Sequence, residues 1–444
     1  MSFWILCGFF VLLALGGGSS KVPTLSLLYL RPAAVLCIGV MAMIGAPRDL
    51  ARYRGPLLIL AGLALTIAMQ LVPLPPGWAA ALPGHARYAE AARLLGGEGV
   101  WHPISLTPDL TFNSLLALLP ALVVLWAFAS MRRGEQARTL WILPALALAS
   151  MAFGILQLAQ GPDSFAYLYA ATSHNLPVGL LGNRNHQATL LAIAIPSFAC
   201  VASLLVERYG RPSVFFGMAA AVSILCVLFA LLTGSRSGFA LVGVGALGAV
   251  AIAWPLIPRG RYRIATIVML GIVLAAAIAL AITMGRATAV SRLTAEAGLT
   301  GEMRIRTFPL LVQLMRDFAP FGSGFGGFDP VFRSVEPDTL LRQTFFNNAH
   351  NDFIELMMTG GLPAVAVLVV ATIWFLHHGW QAWFTNGAAP APALLARLGW
   401  LTLLMIALAS LSDYPVRTPL FAAIAAMAAA WLCREKTDDV RDDV

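Results

Sequence analysis

Strongly apolar, nearly uncharged blocks of about 17–25 residues recur along the whole chain, and this is the length a helix needs to cross the roughly 30 Å of hydrocarbon in a bilayer. Composition agrees. The chain is 59% hydrophobic and only 11% charged, less than half the roughly 25% of soluble domains, and its mean hydropathy is +0.80. The fold class expected is therefore an all-α polytopic membrane protein, with residues 1–444 forming a single integral membrane domain. The blocks give about twelve transmembrane helices, roughly 2–18, 24–46, 55–73, 112–130, 139–159, 187–206, 214–232, 237–256, 264–284, 353–376, 396–412 and 416–433. Arg31-Pro32 predicts a kink or break in the second. Phe3–Leu15 lacks the basic start and Ala-x-Ala site of a signal peptide, and reads as a retained first span.

Charge sets the expected orientation. Arg48, Arg52 and Arg54, Arg132, Arg133 and Arg138, Arg208 and Arg211, and Arg259, Arg261 and Arg263 fall in alternate short connections, which the positive-inside rule makes cytoplasmic. Both termini then lie in the cytoplasm, with 434–444 a solvated tail. This placement accounts for a net charge of +8 without any nucleic-acid partner. The opposite face receives the long segments 74–111, 160–186 and 285–352, the last a large loop between helices nine and ten. These segments are also rich in arginine, which orientation does not explain, and that excess asks for an anionic partner on the outer side. The five cysteines sit in apolar blocks with no Cys-x-x-Cys, as buried thiols rather than disulfides or metal ligands.

Polar chemistry is concentrated where spans meet the outer face. "GNRNHQ" (182–187) opens the sixth helix, and "TGSRSG" (233–238) joins the seventh to the eighth. Arg304 and Arg306 precede "PFGSGFGGF" and "NNAHND" in the large loop, and "SDYPVRTP" (412–419) separates the last two helices. In a bundle, all four mouths can converge on one vestibule. Arg236 is either a cation snorkelling to the interface or a forked donor to phosphate. Arg184, flanked by Asn183 and Asn185 at a helix start, suits an anion site. Arg304 and Arg306 fit a surface helix as well as a ligand site. "GSGFGGF" has no preceding strand and no following lysine, so a flexible or tightly turned loop is expected rather than a nucleotide loop. His350 could join Asp352 and Glu355 on a metal, but a single histidine suits a general base better, since neutral imidazole accepts a proton near pH 7. Asn347, Asn348 or Asn351 would cap the helix or orient the ring. His186 could join only through folding that sequence does not reveal.

These clusters, in this order on about twelve spans, resemble the O-antigen ligase and O-antigen polymerase superfamily of bacterial envelope glycosyltransferases. "GNRNHQA", "LTGSRSG", Arg304/Arg306 before the glycine-rich run, "AHNDFIELMMTGGLPA" and "SDYPVRTP" carry the resemblance, over most of residues 110–433. It implies an inner-membrane enzyme whose site faces the periplasm. A glycan would move from undecaprenyl diphosphate to an acceptor sugar hydroxyl, with inversion at the anomeric carbon and with no metal or cofactor. His350 would be the catalytic base. Arg184, Arg236, Arg304 or Arg306, Asn183, Asn185, Asn351 and Arg417 would bind substrate. The acceptor would be lipid A-core in a ligase, a lipid-linked repeat in an O-antigen or exopolysaccharide polymerase, or a protein in a third branch. From another class, a polysaccharide transporter or flippase would use a midplane site, for which the sequence shows no broken-helix pair.

Overall fold

In a bilayer, backbone N–H and C=O groups have no water to bond, so the apolar blocks must satisfy them internally as helices. A computed structural model of the chain shows this outcome. It describes residues 1–20, 25–97, 99–269, 299–341, 347–384 and 391–433, with isolated positions between 270 and 280. The described residues are mostly helical: α1 Ser2–Gly16, α2 Leu27–Ile44, α3 Arg54–Met69, α4 Pro76–Ala81, α5 Ala86–Leu94, α6 Pro108–Leu116, α7 Leu119–Ser130, α8 Arg133–Arg138, α9 Ile142–Gln160, α10 Arg184–Tyr209, α11 Pro212–Leu232, α12 Arg236–Ala253, α13 Leu299–Asp317, α14 Phe328–Arg333, α15 Asp352–Phe384, α16 Ala391–Ser410 and α17 Pro419–Leu432. Among the described residues, eight helical stretches are long and apolar enough to cross a membrane, and α1, α3 and α17 are shorter apolar helices. Residues 261–269 are helical; most of the remainder of the expected ninth span lies outside the described residues, as do 280–298, Arg342 and the tail 434–444. One two-stranded antiparallel sheet pairs Pro73 with Pro103 and Leu74 with His102.

Two details differ from expectation. Helix α2 runs unbroken through Pro32. This proline lies near the helix start, where few backbone bonds are lost to it. The fourth expected span is instead divided into α6 and α7, with Pro120 in the first turn of α7, a position that tolerates the missing N–H.

Helix α10 is the central post, buried around most of its circumference, whereas α11 is largely exposed and presents its apolar side chains to lipid. Small residues let α12 approach α10 closely. A Cβ on Gly238 would stand 2.3 Å from the Ala188 Cβ, and one on Gly245 would stand 2.6 Å from the Ala192 carbonyl oxygen. The pairing advances in the same direction along both helices, so α10 and α12 are parallel and their N-termini lie side by side.

The two long outer segments pack together. Gln70 donates to the Phe321 and Thr359 carbonyls, both at 2.8 Å, and accepts from the Phe325 amide. The Leu106 amide donates to the Ser323 carbonyl, and Thr111 to that of Phe325. "GSGFGGF" is thus a tight turn laid across α15 where Gly361, at φ +62°, interrupts the helix. Beneath it Leu311, Leu314, Phe318, Phe328, Val331 and Phe332 form an apolar core that reaches Ala349 and Met358. That core anchors the segment leading into His350.

Candidate functional site

Four helices, α10, α12, α15 and α17, begin at the same end of the bundle, and a side chain caps each of them. Asn183 accepts from the Asn185 amide, Ser235 from Gly238, Asn351 from Phe353 and Ile354, and Thr418 from Phe421. Much of the polar clustering visible in the sequence therefore satisfies first-turn amides. What remains forms a second layer centred on Asp413.

Asp413 lies in the turn between α16 and α17 and is 1% exposed. Its Oδ2 accepts from the Asn183 and Asn185 side-chain amides at 2.9 and 2.8 Å and lies 3.8 Å from His186 Nε2. Its Oδ1 lies 3.8 Å from Nδ1 of His350. These two histidine contacts are electrostatic rather than hydrogen-bonded at that distance. Burial by itself would raise the Asp413 carboxyl, but His350, His186 and Asn185 together outweigh it and hold the group well below the usual carboxylate range. The carboxylate therefore stays ionised between two imidazoles. Tyr414 packs against both rings, at 5.7 Å from His186 and 5.3 Å from His350, and burial beside Asp413 pushes its phenol up to about 12. His186 is 2% exposed and also meets the Phe421 ring.

His350 occupies the left-handed region at φ +50°. Its neighbours explain the turn: the Ala349 amide donates to Glu355 at 2.9 Å, and Asn351 caps α15. Fixed on both sides, the chain reverses at residue 350 and brings the imidazole to Asp413. Such strain is concentrated at functional positions. A carboxylate beside Nδ1 favours the tautomer protonated there, which directs base character to Nε2.

Arg417 sits one turn away. Its Nε donates to Asp352 Oδ1 at 2.9 Å, and its Nη1 to Asn348 Oδ1 at 3.0 Å and to Glu355. Burial opposes its charge, but the two carboxylates hold the guanidinium even more firmly protonated than usual. Ser410 donates to Asp352, and Asn351 Nδ2 to the Leu411 carbonyl, which sews the 348–355 segment to the 410–417 turn. Arg417 thus stands in a buried ion-pair cluster.

Arg184 and Arg236 are exposed at the starts of α10 and α12. Arg184 Nη1 lies 3.8 Å from where a Cβ on Gly234 would stand, so its guanidinium reaches the turn that carries Arg236. Arg306 is exposed on α13 and lines a groove of about 720 Å³ with Arg87, Gln313, Asp317 and Ser334. The side chain of Arg304 lies outside the described residues. The structure therefore joins "GNRNH", "TGSRSG", "NNAHND" and "SDYPVR" around one mouth. Sequence reasoning did not single out Asp413, although it stands in a quoted cluster, and left His186 undecided. Both depend on contacts between residues more than 200 positions apart, for which the sequence carries no spacing signal.

This mouth pairs a polarised histidine with exposed arginines over helix N-termini, a combination suited to taking a proton beside an anionic group. Residues 220–369 match the O-antigen ligase family model. That stretch is similar to the O-antigen ligase family. No curated protein matches it. The matched stretch holds Arg236, the glycine-rich turn, His350, Asp352 and Glu355, while Arg184, His186, Asp413 and Arg417 reach the same mouth from outside it. The family supports membership of the O-antigen ligase/polymerase superfamily, a glycosyltransferase-type activity and, with the apolar helices, a multi-pass membrane protein.

Proposed function

We propose that the protein transfers a glycan from undecaprenyl diphosphate to a hydroxyl of lipid A-core at the periplasmic face of the inner membrane. The observation that carries this reading is His350, set against the buried carboxylate of Asp413 beside the Arg184–Arg236 mouth. The acceptor hydroxyl gives its proton to His350 as its oxygen attacks the anomeric carbon. The bond from that carbon to the diphosphate oxygen breaks with inversion, and the electron pair leaves on the lipid diphosphate. Arg184 and Arg236, with Arg306 or Arg304, stabilise the departing charge, helped by the positive ends of α10 and α12. Asn183 and Asn185 hold Asp413, Asn351 holds the His350 turn, and Arg417 positions both turns through Asp352 and Glu355. Neither metal nor nucleotide sugar takes part.

Purified protein given a lipid-diphosphate glycan and acceptor should transfer the glycan in the presence of chelator. General-base catalysis contributes about 10²–10⁴-fold, so His350→Ala should lose activity on that scale, and wild-type turnover of this variant would end the assignment. Arg236→Lys should also be impaired, because a point charge does not reproduce a forked donor. Glycan profiles of a deletion strain separate the acceptors. Uncapped lipid A-core indicates a ligase, capping by single repeats a polymerase, and loss of a secreted polymer alone an exopolysaccharide polymerase.

A further inference from the structure

The ends of α1, α2 and α7 remote from His350 enclose a cavity of about 700 Å³. Helix α1 fixes its place. The Gly17 carbonyl accepts the Leu420 amide at the start of α17, while Ser2, at the other end of α1, lines the cavity. A 15-residue helix separates the two by about 22 Å, most of the hydrocarbon thickness. The candidate site and this cavity therefore belong to opposite faces.

The charged side chains lining the cavity are Arg48, Arg132 and Arg138, with Glu135 as the one carboxylate among the described residues. Glu135 accepts the Arg132 backbone amide at 2.9 Å, which turns it toward the start of α8. Ser2 and Ser130 add hydroxyls, and Met41 and Ile44 form the apolar side. From that side α2 runs back into the membrane. Leu28, Val35, Leu36 and Met43 are exposed, at a spacing that places them on one face, while Leu30, Ala34 and Met41 face the bundle; Ile44, also exposed, lines the cavity beside Met43 at the end of this stripe. An open apolar stripe of bilayer length thus ends at a concave cluster of guanidinium groups. Arginines that only signal orientation need no shared cavity and no such stripe.

We propose that this cavity binds the phosphate of an anionic phospholipid, with its acyl chains lying along α2. Guanidinium groups match phosphate geometry, and basic pockets between spans at a membrane surface recognise anionic headgroups. Native mass spectrometry of the full chain in detergent, with phosphatidylglycerol or phosphatidylcholine added, tests it. Phosphatidylglycerol should be retained preferentially. Arg48→Gln/Arg138→Gln should weaken its retention at least tenfold, since each basic residue near an anionic surface is worth about a fivefold change. Arg208→Gln/Arg211→Gln, at the α10–α11 turn, removes the same charge elsewhere and should leave retention unchanged. Equal loss in both pairs would overturn the site, as would displacement of the lipid by millimolar inorganic phosphate. If the cavity variant fails to fold, the wild-type headgroup preference decides, and its absence overturns the proposal.

Discussion

At the scale of single residues, the site is organised by one buried carboxylate. Asp413→Asn keeps the shape but removes the charge between His186 and His350, and should lower turnover by about 10²-fold or more if His350 is the base. Its pH dependence has a definite sign. The folded-state pKa of Asp413 is depressed, so its contribution to stability is fully present above the ordinary value of 3.8 and is lost as pH falls toward the folded value. Thermal unfolding of wild type and Asp413→Asn in detergent should therefore differ most above about pH 4 and converge below it; a gap that widens on acidification would contradict the placement. His350→Gly tests the strained backbone. It should abolish transfer while matching or exceeding His350→Ala in stability, because glycine relieves a left-handed conformation worth about 1 kcal/mol. Arg417→Ala should instead destabilise the protein by about 3 kcal/mol, since it strands Asp352 and Glu355 without their cation. Adding Glu355→Gln should recover part of the loss. An Arg417→Ala protein of wild-type stability but raised KM for donor would make this arginine a direct ligand.

At the scale of elements, helix starts do most of the positioning. Four capped N-termini converge on one mouth, and two of them are brought together by the close α10–α12 packing. A larger residue at Gly245 would drive its Cβ into the Ala192 carbonyl and separate Arg184 from Arg236. Gly245→Leu should cost about 1–3 kcal/mol in unfolding measurements and impair transfer more than it impairs folding. The glycine-rich run, expected as a flexible or tightly turned loop, is a tight turn with a packing role. A Cβ on Gly361 would meet the Pro320 carbonyl oxygen at 2.2 Å, and Gln70 Nε2 ties the turn to α15 through the Phe321 and Thr359 carbonyls. Gln70→Leu leaves the Phe321 carbonyl and the Phe325 amide without their partner. It should expose the 318–328 segment to protease; protection equal to wild type would remove Gln70 from that role.

At the scale of the whole molecule, the two ends of the bundle differ in kind. One gathers Asp413, two histidines and exposed arginines under the folded outer segments; the other carries short basic turns and the arginine-lined cavity. With the native cysteines replaced by alanine, Trp101→Cys and Leu50→Cys should react with an impermeant thiol reagent from opposite sides of the membrane. Labelling of both from one side would overturn the proposed orientation. Both side chains are exposed, so a failure to react would not come from burial.

Apolar block length alone determined an all-helical membrane protein, because only helices of that length satisfy a backbone in hydrocarbon. It placed most spans to within a few residues of their observed bounds and correctly found the polar clusters at span ends. Neither the division at residues 117–118 nor the continuity of α2 through Pro32 was legible, since each depends on where a proline falls within a helical turn. Only the tertiary structure decided what the clusters do to one another. His186 and Asp413 are separated by more than 200 residues, and nothing in local periodicity records that α10 and the α16–α17 turn meet. Arg417, expected from the resemblance to bind substrate, stands in an ion-pair cluster with Asp352 and Glu355. A linear pattern fixes which segments leave water, while charge pairing follows from which helix ends come to share one low-dielectric mouth.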